Sequence, residues 1–340
     1  MLFEPIIIKN LKSKNRIVMA PMCTYQAVNG FANNSHLIHY ASRAIGQTGI
    51  IILEATAIEP RGRISVDDLG LWSDEFVDGL KSITDECKNH GSKIGIQLAH
   101  AGRKSRVLDE EIVAPSSLAF NSSFPTPHEL SKDEIEEIIL KFGEAAKRAD
   151  KAGFDFVEIH AAHGYLINQF LSPITNKRTD EYGNDKKLFL ERVLKEVRAN
   201  FSPEKTIFVR VSAEEYNIAG NNPENLGELL SEISYLFDIL HVSSGGIDEN
   251  SDFKTFPGYQ LSFAEYLKKE LNKPVIAVGL LQDENIANQA LKDNKADLIA
   301  IGRGLLNDPY WPLHAAKKLN ADIEWPKAYL RAKIIDSGLK

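Results

Sequence analysis

The feature that most constrains the fold is a regular alternation of short apolar runs with amphipathic, helix-like stretches. Eight β-type runs can be counted along the 340 residues: RIVMAP (16–21), GIIILEA (49–55), KIGIQLAH (93–100), FDFVEIH (154–160), TIFVRVSA (206–213), ILHVSSG (239–245), PVIAVG (274–279) and DLIAIGRG (297–304). Most of them are continuous apolar runs, which is typical of parallel strands covered on both faces. The alternation therefore predicts an α/β protein with a parallel sheet.

The stretches between these runs carry helix boundary signals. Ser131 and Glu134 have capping-box spacing ahead of an apolar stripe, and Gly153 follows as a stop signal. Ser262 and Glu265 repeat the capping-box pattern before PVIAVG, so we expect a helix to begin there too.

Eight βα units in one chain of 340 residues form a (β/α)8 TIM barrel most economically. A doubly wound sheet is the alternative, but the chain contains neither G-x-G-x-x-G after its first run nor G-x-x-x-x-G-K-[ST]. The segment LFEPIIIKN (2–10) is predicted to form an extra strand or hairpin that covers the bottom of the barrel. No linker, repeat or low-complexity tract divides the chain, so we expect one domain over residues 1–340.

Composition and charge exclude several classes of function. The net charge of −7 offers no basic face for nucleic acid. No apolar run approaches the roughly 18 residues that a membrane span needs, and the N-terminus lacks the pattern of a signal peptide. Two cysteines, Cys23 and Cys87, form no C-x-x-C pair, which suits a reducing compartment. These features predict a soluble cytoplasmic protein.

Polar residues follow most of the predicted strands. In a (β/α)8 barrel the βα loops at the strand ends form the open mouth where the chemistry takes place. The strand ends carry Met22, Cys23, Tyr25, Glu54, Ala55, Gln97, His100, Lys104, His160, His163, Tyr165, Arg210, Ser212, Ser243, Ser244, Gly245, Gly279, Gly302 and Arg303. We therefore expect a polar collar around this mouth.

His160, His163 and Tyr165 are the densest part of that collar. Two imidazole N–H donors that converge on one carbonyl oxygen would polarise it, and a nearby protonated tyrosine can act as a general acid. This combination suits the addition of a negatively charged equivalent, and then of a proton, to a conjugated carbonyl compound. H-x-x-H could also bind a metal ion, but H-E-x-x-H is absent and no carboxylate stands beside the pair as a third ligand.

The last two strand ends predict a phosphate site. Gly279, Gly302 and Arg303 stand where (β/α)8 barrels commonly bind phosphate, because glycine lets backbone N–H groups approach the anion. The alternative for Gly279 is an ordinary turn glycine.

Several long motifs occur in the order found in one known family. They are KNRIVMAPMCTY (14–25), HYASRAIGQTG (39–49), RGRISVDDLGLWSDE (61–75), GIQLAHAGRK (95–104), AGFDFVEIHAAHGYLINQFLSP (152–173), RTDEYG (178–183), FVRVSA (208–213), FPGYQ (256–260) and ADLIAIGR (296–303). Through nearly its whole length the chain resembles the old yellow enzyme family, in particular its YqjM-like, or thermophilic-like, ene-reductases.

The resemblance implies non-covalent FMN, reduction by NADPH or NADH, and hydride transfer from the flavin N5 atom to an activated alkene such as an enone. Quinones and nitro compounds are further expected substrates. His160 and His163 would hydrogen-bond the substrate carbonyl or the nicotinamide amide. Tyr165 would protonate the α-carbon, and Tyr25 would contact the substrate. The implied FMN-binding residues are Ala20, Pro21, Met22, Cys23, Ala55, Gln97, Arg210, Gly279, Gly302 and Arg303.

The resemblance also implies a homodimer or homotetramer with a shared active site. Arg331 stands where the subclass has an arginine that reaches into the neighbouring subunit, so the tail of about 320–340 is expected at an interface. The chain departs from the family after RTDEYG, in GNDKKLFLERV (183–193), and again in the tail YLRAKIIDSGLK (329–340).

Three alternatives remain open at this point. The first is a relative of the dienoyl-CoA reductases or amine dehydrogenases, which carry a cysteine-ligated iron–sulfur cluster that the two lone cysteines argue against. The second is a barrel metal-dependent hydrolase or lyase with His160 and His163 as ligands. The third is a non-catalytic flavin sensor that switches through Cys23.

Overall fold

A computed structural model describes residues 1–336. The strands of this part of the chain are β1 Ile6–Ile8, β2 Leu11–Ser13, β3 Ile17–Met19, β4 Ile50–Ala57, β5 Leu69–Gly70, β6 Lys93–Ala99, β7 Val113–Ala114, β8 His128–Glu129, β9 Phe156–Ala161, β10 Thr206–Ser212, β11 Ile239–Ser243, β12 Val275–Ala277 and β13 Leu298–Ile301. The helices are α1 Asn34–Ile45, α2 Val77–Asn89, α3 Lys132–Lys151, α4 Leu166–Leu171, α5 Glu181–Asn184, α6 Leu188–Asn200, α7 Pro223–Ser231, α8 Leu261–Leu271, α9 Glu284–Lys292, α10 Arg303–Asn307, α11 Trp311–Lys318 and α12 Leu330–Asp336.

Eight parallel strands close into a barrel within these residues. Their order around the barrel is β3, β4, β6, β9, β10, β11, β12 and β13, and β13 pairs with β3 to complete the circle. Each of them overlaps one of the eight predicted runs, and β4 and β9 extend one or two residues past theirs, so the predicted (β/α)8 barrel is confirmed and the doubly wound alternative is wrong. The short strand β5 adds to the outer end of β4.

The N-terminal segment forms the predicted hairpin. Strands β1 and β2 pair antiparallel, with Ile6 opposite Ser13. Leu11 packs against the residues that fill the lower barrel interior, among them Val18, Ile50 and Phe156. The hairpin therefore covers the end of the barrel at which the strands begin, and the opposite end stays open for the βα loops.

The two capping-box predictions have different outcomes. The Ser131 side chain accepts a hydrogen bond from the Glu134 backbone N–H, and the Glu134 carboxylate accepts one from the Ser131 N–H, so α3 begins as predicted. The prediction for Ser262 is wrong, because α8 begins at Leu261 with Gln260 as its N-cap. The Gln260 side chain is bonded to the Val278 carbonyl and to Ser244, which fixes the chain just before the helix.

Across the residues that the structure describes, no helix combines the length and apolarity needed to cross a membrane.

Candidate active site

The barrel interior is layered, and the site lies on the upper layers. Lower down, the rings of Phe156 and Phe208 stack with their centroids 4.1 Å apart. Because side chains alternate along a strand, every second residue above these rings also points inward. The next inward residues on β9 and β10 are Glu158 and Arg210, so the interior changes from apolar to polar towards the open end.

A cavity of about 250 Å³ opens at this end of the barrel. Its lining residues are Pro21, Cys23, Tyr25, Ala55, Ile64, Gln97, His160, His163, Tyr165 and Arg210. Nine of them were singled out from the sequence, and they come from loops and strands spread over almost 190 residues. The fold therefore brings the predicted polar residues together in one place.

His160 lies near the end of β9, and a tight turn after the strand presents His163 and Tyr165. His163 adopts a positive φ of 60°, and Gly164 follows with a φ of 72°. A Cβ on Gly164 would lie 2.2 Å from the carbonyl oxygen of Gly246, and a Cβ on Gly246 would lie 2.7 Å from the Cα of His163. The two glycines thus allow the turn and the loop after β11 to pack backbone to backbone, which fixes the position of His163.

His160 is a neutral hydrogen-bond donor in this environment. Its Nδ1 accepts the backbone N–H of Ala162 at 3.3 Å, so Nε2 carries the ring proton. Burial, with the Arg210 charge as a second cause, holds the pKa of His160 well below its usual value. The imidazole therefore stays uncharged at neutral pH and keeps one N–H for a ligand.

His163 lies beside His160, with the ring centroids 5.2 Å apart, and burial also holds the pKa of His163 well below its usual value. Its Nε2 is 2.8 Å from the hydroxyl oxygen of Ser243, and its backbone N–H donates to Ser212. A ligand that uses this ring nitrogen therefore has to compete with the Ser243 contact.

Tyr165 completes the group, with its ring centroid 5.0 Å from that of His160. Burial is the main cause that raises the pKa of Tyr165 above its usual value, so the phenol keeps its proton at neutral pH. The Lys104 ammonium lies 5.2 Å from the tyrosine ring centroid and donates to the carbonyl oxygens of His163 and Gly246. Burial lowers the pKa of Lys104 to about 8.

Arg210 is a buried cation without a direct anionic partner. Its side chain is 7% exposed, and the Nε atom is buried without a hydrogen-bond partner. No ion pair within 4.0 Å joins it to a carboxylate among residues 1–336. Beside it Gln97 donates from Nε2 to Glu158 at 2.8 Å, which leaves the amide oxygen of Gln97 to the cavity. Arg210 and Gln97 could therefore bind a polar, electron-rich ring.

The opposite wall carries Cys23 and Tyr25. Burial is the main cause that raises the pKa of the Cys23 thiol, so it stays protonated. The intervening Thr24 donates from its N–H and its hydroxyl to the buried carboxylate of Glu54, which anchors this loop. Tyr25 has a φ of 54° and is 58% exposed, so it stands at the rim of the cavity.

The remaining predicted FMN residues lie next to the cavity rather than in its lining. The Ala20 N–H donates to the Ile301 carbonyl at 3.2 Å, and a Cβ on Gly302 would lie 3.3 Å from the Met22 sulfur. Arg303 follows Gly302 as the first residue of α10. Gly279 has a φ of 128°, and a Cβ there would lie 3.1 Å from the Gln260 side chain. Of these residues Arg303 is exposed, Met22 and Gly302 are half-buried, and Ala20 and Gly279 are buried.

Arg331 is the predicted site residue that the structure does not bring to the cavity. It lies on α12, and its side chain is exposed. Trp325 to Tyr329 line a separate groove of about 560 Å³ with Lys14, Gln47 and His90. Lys14 and Gln47 precede β3 and β4, so this groove is near the end of the barrel at which the strands begin.

Ile64, Glu158 and His241 also belong to the site, although they were not among the residues predicted from the sequence. Ile64 lies in the loop after β4 and lines the cavity. Glu158 and His241 join each other inside the barrel, with His241 Nδ1 2.8 Å from a Glu158 oxygen. The alternation of inward residues along β9 and β11 was the signal that could have found the latter two.

The metal alternative finds its best group of ligands elsewhere. Among the described residues, Glu111, His128 and Glu134 have potential ligand atoms within 4.8 Å of one another, and neither His160 nor His163 belongs to this group. Arg61 lies 3.5 Å from Glu111 and already provides a positive charge there.

Comparison with known proteins defines the class of this site. The profile of the NADH:flavin oxidoreductase / NADH oxidase family matches residues 1–322. The NADPH dehydrogenase of Clostridium acetobutylicum is 50% identical over 336 residues, which are 97% of this chain and 99% of that protein. The NADPH dehydrogenase of Bacillus subtilis is 46% identical over 336 residues, at 97% and 98% coverage. Barrel, cavity and matches together define an FMN-dependent oxidoreductase.

Solved structures of other oxidoreductases share this fold. Morphinone reductase superposes with a TM-score of 0.82 at 30% identity, over 96% of this chain and 91% of that one. 2-Naphthoyl-CoA reductase superposes with a TM-score of 0.88 at 25% identity, and this chain spans 52% of its length. The chain belongs to the NADH:flavin oxidoreductase / NADH oxidase family, that is, to the old yellow enzymes. The resemblance inferred from the motifs is thereby confirmed, together with FMN as the cofactor and a nicotinamide as the reductant.

Proposed function

We propose that this enzyme uses NADPH to reduce the C=C bond of α,β-unsaturated carbonyl compounds. The observation that carries the proposal is the convergence of His160, His163 and Tyr165 on one wall of the cavity, with two neutral imidazoles and a protonated phenol. The two imidazoles can polarise a carbonyl oxygen, and the phenol can deliver a proton. All three groups are uncharged before the reaction.

The cavity residues fit the isoalloxazine of FMN. Arg210 is buried without a hydrogen-bonding partner for its Nε, and a flavin ring provides electron-rich nitrogen and oxygen atoms for such a cation. Gln97 turns its amide oxygen to the same side. Pro21, Cys23 and Ala55 would contact the ring, Ala20 and Met22 the adjoining backbone, and Gly279, Gly302 and Arg303 the phosphate. When bound, FMN supplies the hydride.

The remaining roles follow from position. His160 offers its Nε2–H to the substrate carbonyl at once, and His163 offers its own after it leaves Ser243. Tyr165 then donates a proton to the α-carbon. Cys23, a neutral thiol in the cavity wall, would adjust the reduction potential of the flavin, and Tyr25 at the rim would contact the substrate.

The reductant, further substrates, location and oligomeric state are proposed as follows. Two similar proteins are named NADPH dehydrogenase, which favours NADPH over NADH as reductant. Quinones and nitro compounds are further proposed substrates, since they accept hydride from reduced flavin with little help from a proton donor. A cytoplasmic location and a single domain over 1–340 are retained as proposals, as is a homodimer or homotetramer in which Arg331 reaches a neighbouring active site.

Turnover of cyclohexenone tests this function. We expect the purified holoenzyme to consume NADPH and enone in equal amounts and to release cyclohexanone, identified by gas chromatography. Formation of cyclohexenol would show attack at the carbonyl carbon and contradict the assigned geometry. Oxidation of NADPH by quinones alone, with no reaction of the enone, would also contradict it.

A further inference from the structure

Four polar side chains form a layer inside the barrel between the apolar base and the cavity. They are Gln97 on β6, Glu158 on β9, Arg210 on β10 and His241 on β11. The register places Gln97 opposite Glu158 and Arg210 opposite His241, and between β9 and β10 Arg210 stands two residues further along than Glu158. Two of its members line the cavity, and Glu158 and His241 lie beneath with no exposed surface.

Glu158 is the centre of this layer. One carboxylate oxygen accepts from Gln97 Nε2 at 2.8 Å, and the other is 2.8 Å from His241 Nδ1. Burial lowers the pKa of His241, so its ring is neutral and Nδ1 carries the proton that it donates. An ionised carboxylate only accepts hydrogen bonds. Both neighbours must therefore turn a donor towards Glu158, and the amide oxygen of Gln97 must turn away from it.

The charges of the layer form one balanced pair. Arg210 contributes a positive charge that burial disfavours, and the Glu158 carboxylate is the first of the groups whose charge opposes this effect. With neutral His241 the layer carries one positive and one negative charge. A buried charge is costly unless a charge of opposite sign lies nearby.

We propose that Glu158 is a positioning residue that orients the Gln97 amide and balances Arg210, and that its negative charge thereby sets the reduction potential of the bound flavin. This inference rests on the proposed placement of FMN against Gln97 and Arg210. Neither Glu158 nor His241 contacts the reacting atoms, so their effect is transmitted through these two residues.

Substitution Glu158→Gln tests the charge at nearly constant shape. The layer then keeps the Arg210 charge alone, which stabilises the electron-rich reduced flavin relative to the oxidised form. We expect the ratio of FMN affinities, reduced over oxidised, to rise at least about tenfold, which is a shift of about +30 mV for a two-electron couple. The measurement is the midpoint potential of the holoenzyme, determined by dye-linked anaerobic titration.

Two matched variants separate charge from structure. Glu158→Asp keeps the charge and shortens the side chain, so the potential should stay near that of the wild type. Glu59→Gln removes another buried carboxylate, which is bonded to Arg61, His100 and Lys141 and does not line the cavity. It should leave the potential unchanged. If Glu158→Gln gives no folded holoenzyme, Glu158→Ala, which also removes the charge, replaces it: a shift to higher potential supports the proposal, and an unchanged potential rejects it.

Three outcomes would overturn the proposal. They are an unchanged potential in Glu158→Gln, a shift to lower potential, or equal shifts in the Glu158→Gln and Glu59→Gln variants. Each of them would be observed with FMN bound, so each would leave the proposed function standing. Failure of the wild-type protein to bind FMN would instead reject the function on which this inference rests.

Discussion

At the scale of residues, burial is the main cause that fixes the protonation states of the catalytic groups. His160 is buried beside Arg210, and both effects keep its imidazole neutral and able to donate from Nε2. Burial likewise keeps the proton on Tyr165. This arrangement suits the role proposed for Tyr165, because a proton donor that acts after hydride transfer has to keep its proton until then.

Tyr165→Phe tests the proton donor. We expect reduction of the bound flavin by NADPH to stay normal, and its reoxidation by cyclohexenone to slow about 10²- to 10⁴-fold, the usual scale for a general acid. Stopped-flow absorbance of the two half-reactions provides the measurement. Tyr25→Phe is the matched control at the exposed rim, and it should alter the KM for the enone more than the rate. Equal losses with enones and quinones would argue against a specific role in protonation.

The two histidines should differ in their contributions to ligand binding. A phenolate oxygen can take the place of the substrate carbonyl, and each charge-assisted hydrogen bond lost would cost about 1.5–3 kcal/mol, roughly 10- to 150-fold in Kd. We expect the larger loss for His160→Ala, because His163 must first give up Ser243. Ser243→Ala should therefore strengthen binding slightly. Titration of the charge-transfer absorbance gives each Kd, and an unchanged Kd in both histidine variants would contradict this assignment.

At the scale of elements, the sequence predicted the features that depend on residues close together in the chain. The eight barrel strands and the hairpin were predictable because apolar runs and turn residues are local signals. The capping boxes show the limit, since Ser131 and Ser262 have the same pattern and only Ser131 caps its helix. Long-range bonds of Gln260 to Val278 and Ser244 fix the start of α8, and no local pattern records them.

This difference between the two serines can be measured. Ser131→Ala removes the cap of α3 and should lower the free energy of unfolding by about 0.5–2 kcal/mol. Ser262→Ala lies in the first turn of α8 without a capping role, so it should change the free energy of unfolding by less than about 0.5 kcal/mol. Urea unfolding followed by circular dichroism compares them. A larger loss for Ser262→Ala would show that the start of α8 is misplaced.

The site residues show the same difference between local and long-range determinants. Tyr165, His160 and Cys23 were predictable from motifs at strand ends, where a barrel places its chemistry. For Glu158 the alternation along β9 could indicate only that the side chain points inward, because a single glutamate within an apolar strand gives no sign of its partners. Those partners, Gln97 and His241, are 61 and 83 residues away in the chain.

At the scale of the whole molecule, the C-terminal segment stands apart from the cavity. Trp325 to Tyr329 lie against the part of the barrel where the strands begin, and Arg331 is exposed on α12. The predicted interface tail extends to residue 340, and residues 337–340 lie outside the described part of the chain. With the tail in this position, Arg331 lies away from the cavity of its own subunit. We therefore expect that it could reach an active site only in a neighbouring copy of the chain.

Mixed oligomers test whether the active site is shared. Arg331→Ala subunits and Tyr165→Phe subunits should each be slow with enones, and refolded mixtures should regain part of the activity. The reason is that a mixed dimer holds one site with both residues intact. Native mass spectrometry would verify the mixed species. Verified heterodimers without any recovery would assign Arg331 to the surface of its own subunit.

We infer that one cavity binds FMN, accepts hydride from NADPH and passes it to an enone. Anaerobic titration of one preparation of the purified protein tests this inference. We expect the purified protein to release FMN at about one per chain on denaturation, to lose its flavin absorbance with one equivalent of NADPH, and to recover it with one equivalent of cyclohexenone. A flavin that NADPH reduces and no enone reoxidises would indicate a redox sensor instead, and a protein without flavin would contradict the account altogether.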